Sequence, residues 1–130
     1  MQNKYKISSH AYLELHHFCM RYHEYKSEIY KIMNGGGTSG VITYSKSTGR
    51  YSDPTANSVL KIERFRRHCE LIEQTALETD SNIYQPLLNN VTTGVTYDQM
   101  KACGIRILCG RRQFYEKRKK FFYLLFLKKG

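Results

Sequence analysis

The sequence predicts an all-α fold: a small bundle of about five helices that closes with a helix-turn-helix. Three observations predict it. Apolar residues recur at three- and four-residue steps along several long segments. Helix-starting residues stand where those segments begin, and the glycines gather between them. The length, 130 residues with 41% hydrophobic and 25% charged, suits one compact domain of modest core.

The first helix is expected over about 9–33. Tyr12, Leu15, Cys19, Tyr22, Ile29 and Met33 form its apolar stripe, and Ser8 or Ser9 can accept the free amides of its first turn. Asn34 and Gly35-Gly36-Gly37 end it. Residues 34–52 read as a flexible connector, with Val41–Tyr44 as a single short strand at most. A second helix begins at Asp53-Pro54, where aspartate caps and proline needs no amide partner. Val59, Ile62, Phe65, Cys69, Ile72 and Ala76 give it a long seam ending near Thr79, with Lys61, Arg64, Arg67, Glu70 and Glu78 on the opposite surface.

Asp80 or Ser81 then caps a short helix bearing Ile83, Tyr84, Leu87 and Leu88. Pro86 is expected to kink it or reduce it to one broken turn, because proline removes a ladder bond. Thr92-Thr93-Gly94 closes that segment. Thr96-Tyr97-Asp98-Gln99 is a capping box opening a helix of about 97–103, which stops at Gly104. After a turn through Gly110, the last helix runs over about 111–127, with Phe114, Phe121 and Leu125 inward and Phe122 and Leu124 beside them. The organisation is thus an N-terminal amphipathic helix over 1–33, the connector over 34–52, and a helical domain over 53–130 whose helix-turn-helix spans about 96–127.

Charge carries the functional expectation. Residues 101–130 hold ten basic residues and one acid, whereas residues 1–100 hold eleven bases and ten acids. Nearly all of the net +10 lies at one end, and a field of that kind attracts a polyanion. A capped helix, a glycine-bearing turn and a helix opening with Arg111-Arg112-Gln113 suit major-groove reading, in which Arg meets guanine and Gln meets adenine. Arg111, Arg112, Gln113 and Tyr115 are the expected base or sugar contacts. Lys117, Lys119 and Lys120, with Thr96 and Tyr97, are expected against the phosphate backbone, and Arg106 is a further expected nucleic-acid-binding residue.

The segments Cys69–Ala76, Ile83-Tyr84, Val95–Met100 and Cys109–Leu125 resemble small prophage proteins of Firmicutes. More distantly, the plan resembles phage transcriptional regulators of the RinA/ArpU type, with Asp53-Pro54-Thr55 as its one local motif. The resemblance implies a helix-turn-helix similar to region 4 of sigma factors, DNA binding and control of phage transcription. With no bilayer-spanning run and no apolar signal core after Met1–Lys6, the expected location is the cytoplasm, which the resemblance makes that of a bacterial host.

Other chemistries are not expected. His16, Cys19 and His23 share a helical face, but zinc sites need a fourth ligand. No nucleophile triad, paired-carboxylate pocket or phosphate-binding glycine loop is recognisable, so the reading is a non-enzyme with no metal and no cofactor. Cys19, Cys69, Cys103 and Cys109 are read as reduced and mostly buried, the last two packing beneath the turn. The longest apolar run, Phe121–Leu127, is far short of the roughly 20 residues that span a bilayer. The expected partner is duplex DNA, or RNA with Tyr115 stacking on bases, and a homodimer is compatible with the long amphipathic helices. The alternative is a phage-encoded protein that binds a host protein or nucleoprotein complex, for example an anti-CRISPR-like inhibitor of a defence nuclease.

Overall fold

The computed structural model describes residues 5–34 and 54–129, and every described element is helical. The elements are α1 (Ser9–Met20), α2 (Tyr22–Met33), α3 (Pro54–Thr79), a 3-10 turn (Ser81–Ile83), α4 (Tyr84–Thr93), α5 (Tyr97–Ala102) and α6 (Arg111–Lys129). The expected strand at Val41–Tyr44, the glycine stop at 35–37 and the Asp53 cap lie outside the described residues. No described helix is long and apolar enough to cross a membrane.

The chain forms two compact units, one of Met1–Tyr22 with Leu71–Gly130, the other of His23–Glu70. In the first, α1 packs on α4 and α6, and α4 also touches α5, α6 and the 3-10 turn. Leu15, Cys19, Ile72, Ala76, Leu87, Val91, Phe114, Phe121 and Leu125 are essentially inaccessible to solvent. Among the described residues the buried threonine hydroxyls are paired. Thr75, Thr79 and Thr92 each donate to the carbonyl four residues earlier, at 2.6–2.7 Å, which satisfies the group inside the helix that carries it. The second unit centres on Tyr25, whose ring stacks on Phe65 at 4.6 Å and meets His68 edge-on at 4.4 Å.

Three expectations about local structure change. The single helix over 9–33 is two helices, broken at Arg21 (φ −88°, ψ 0°), whose amide turns back to the Cys19 carbonyl. Arg21 sits in the bridge region of the backbone map. Leu15, Cys19 and Tyr22 are buried, the Tyr22 hydroxyl donating to Glu73, but beyond the break Tyr25, Ile29 and Ile32 are half-buried and Met33 is exposed. Pro86 does not break its helix, which runs uninterrupted over Tyr84–Thr93. α4 begins at Tyr84, so Pro86 is its third residue, where an amide has no intrahelical acceptor to lose. The seam of α3 is deeply buried only at Cys69, Ile72 and Ala76, while Val59 is exposed and Ile62 and Phe65 are half-buried.

The other boundaries follow the expected signals. Ser8 accepts the Ala11 amide at 3.0 Å. Gly94 closes α4 at φ +84° with its amide on the Asn90 carbonyl, a conformation in which a Cβ is strained. Thr96 and Gln99 form the reciprocal capping box of α5.

Candidate nucleic-acid interface

The short α5 stops through a Schellman arrangement. Gly104, at φ +88°, bonds the Lys101 carbonyl, and the Ile105 amide reaches the Met100 carbonyl. Ile107 is buried beneath the turn, while Ile105, Arg106 and Leu108 face solvent. A pair of tyrosines then locks the turn to α6. The Tyr97 hydroxyl donates to the Cys109 carbonyl at 2.8 Å, and the Tyr97 amide donates to the Tyr115 hydroxyl at 3.1 Å. Between them lies Phe114, fully buried, its ring 5.5 Å from that of Tyr97 and 5.3 Å from that of Tyr115. A helix pinned in this way presents its outer side chains from a fixed position.

The residues expected at the interface divide into two sets. Arg106, Arg111, Arg112, Gln113 and Lys119 are exposed and Lys120 is half-exposed. Arg112, Lys119 and Lys120 enter no ion pair among the described residues. Arg111 meets Asp98 at 3.4 Å, but both side chains are about two-thirds or more exposed, so this pair opens at little cost. The second set is already engaged within the fold. Tyr97 is buried and bonded at both amide and hydroxyl, Tyr115 accepts the Tyr97 amide, and Thr96 caps Gln99. Lys117 is drawn to Asp80 at 3.4 Å with most of both side chains covered.

Arg118 is the residue that sequence reasoning missed. Its Nε donates to Asn90 Oδ1 at 2.6 Å and its Nη2 to the Tyr12 hydroxyl at 3.1 Å. Its guanidinium lies 5.0 Å from the centre of the Phe122 ring and 5.7 Å from that of Tyr12. Its place was visible in the spacing, since 118 falls on the stripe of Phe114, Phe121 and Leu125.

The cysteines also differ from expectation. Cys19 and Cys69 are buried, but Cys103 is exposed rather than packed under the turn, and Cys109 is half-exposed. Burial pushes the Cys19 thiol up to about 12, against an opposing pull from Arg118. Burial and then Asp80 raise Cys109, with Lys117 opposing. Among the described residues no group of three His, Cys, Asp or Glu is placed to hold a metal ion.

His16 has a buried Nδ1 without a hydrogen-bond partner. Burial, then the charges of Arg118 and His17, hold its pKa below the ordinary 6.5. A base whose pKa falls on folding binds a proton more readily when unfolded. Stability is therefore expected to decline as pH drops below about 6.5 toward the lowered native value. Urea midpoints between pH 7.5 and 5 check this, and His16→Gln should flatten the decline.

Comparison with protein-family models, curated proteins and solved structures finds no match to this chain.

Proposed function

We propose that the chain binds duplex DNA through the outer face of α6 and acts as a phage-type transcriptional regulator. The observation that supports this most is the asymmetry of α6. Phe114, Phe121, Phe122 and Leu125 hold one side in the core, while Arg112, Gln113, Lys119 and Lys120 remain outward with no carboxylate on the three cations among the described residues. Arg111 joins them by exchanging its exposed Asp98 partner for a base edge or phosphate. Arg106 extends the same charge onto the turn. Arg and Gln in the first turn of such a helix supply the paired donors and acceptors that distinguish guanine and adenine, and the lysines one to two turns later suit phosphates.

Fluorescence anisotropy with a labelled duplex tests the reading. Replacing Arg111 and Arg112 together by Ala should weaken binding by roughly a hundredfold, from two lost charge-assisted contacts. Lys119→Ala should weaken all duplexes alike and reduce the salt slope by about one. Failure to bind any duplex at low salt, or binding indifferent to the double substitution, refutes it.

A further inference from the structure

Beside the outer face of α6 runs a groove of about 1030 Å³, walled on the far side by the segment entering α1. Lys6 stands on that wall and Arg112 and Lys119 on the α6 wall, all exposed and none ion-paired among the described residues. Arg118 lines the groove as well, its guanidinium 5.7 Å from the centre of the Tyr12 ring and 5.0 Å from that of Phe122, and half-buried Tyr5 stands beside them. Among the described residues of the lining, Glu116 is the one carboxylate. Cations on both walls and the half-buried rings of Tyr5 and Tyr12 between them, with Phe122 buried behind, are the two parts of a single-strand site, which holds phosphates by charge and bases or sugars by apolar contact.

We propose that this groove binds an unpaired stretch of nucleic acid, a site that goes beyond duplex recognition by α6. A volume at the upper end for small-ligand sites suits a few nucleotides of one strand rather than a duplex. An acidic peptide matches the walls but has no use for the aromatic floor, so the charge and the rings together favour a single strand. The chain runs from Lys6 to Arg112 before the two walls meet, so no local motif announces the site.

The sequence contains no tryptophan, and half-exposed Leu13 lines the groove, so Leu13→Trp gives a single fluorescent reporter inside it. Adding oligo-dT of about 12 nucleotides should quench that emission saturably. Lys6→Glu should weaken oligo-dT binding roughly tenfold, one charge-assisted contact, and duplex binding by no more than about twofold. Lys6 and Leu13 lie outside the sealed core, and unchanged far-ultraviolet circular dichroism verifies that both variants fold. Three results would overturn the proposal: no quenching at low salt, equal loss of oligo-dT and duplex binding in Lys6→Glu, or displacement of oligo-dT by polyglutamate at matched charge. Loss of duplex binding with the oligo-dT response intact would reject the α6 reading alone, and the reverse would reject the groove alone.

Discussion

Phe114→Ala is expected to lower the stability of the fold by about 4 kcal/mol, the usual cost of emptying a fully buried phenylalanine site. The ring is wholly inaccessible and sits against Tyr97 and Tyr115. Those two tyrosines carry the hydrogen bonds that tie the α5 amide to α6 and the Cys109 carbonyl of the turn to α5. Removing the ring thus opens a cavity at the point where the turn is fastened, and surrounding atoms have little freedom to collapse into it. Urea unfolding measures the effect as a lower midpoint at unchanged slope. Phe114→Leu should cost less than half as much. A loss below about 1 kcal/mol for the alanine variant, the level of an ordinary surface change, would mean that Phe114 does not anchor α6.

Arg118→Ala is expected to cost about 3 kcal/mol, a large value for a cationic residue on a helix so rich in them. The side chain joins Tyr12 of α1 to Asn90 of α4, and Asn90 Nδ2 in turn donates to the Val95 carbonyl ahead of α5 at 2.8 Å. Truncation leaves the oxygen of Asn90, a residue only 5% exposed, without its donor. An unsatisfied buried acceptor costs about 1–3 kcal/mol, and the lost stacking on Phe122 and Tyr12 adds to it. Lysine should not rescue the variant, because one ammonium cannot present the planar fork that reaches both oxygens. A double-mutant cycle with Asn90→Ala should return a coupling of about 1–2 kcal/mol. In Arg118→Ala the His16 pKa should also move up toward its ordinary value, since a neighbouring positive charge is gone. That shift is readable by NMR titration, independently of stability.

The contrast between these two residues explains how far the sequence was readable. Phe114, Phe121 and Leu125 announce the buried side of α6 by spacing alone, and the Thr96–Gln99 capping box sets the start of α5 through a local hydrogen-bond exchange. Arg118 keeps the same spacing, but its charge suggests solvent, and only the distant partners Tyr12 and Asn90 make an inward position favourable. Arg21 interrupts α1 and α2 without a glycine or proline to signal it. Pro86 leaves α4 unbroken because its effect depends on where the helix begins, and Tyr84 puts it within the first turn. Of the expected interface, the exposure of Arg112, Gln113 and Lys119 follows from helical periodicity. The capture of Tyr97, Tyr115 and Lys117 does not, since their partners are set by tertiary packing.

The uneven covering of the four thiols has a practical side. Cys19 and Cys69 are sealed, Cys109 is half-screened, and Cys103 alone stands fully open, one residue before the glycine that turns the chain toward α6. A maleimide dye or spin label applied briefly near neutral pH will therefore settle first on Cys103, without any engineered attachment point. The native polypeptide thus arrives with a site for a spectroscopic probe on the turn between α5 and α6.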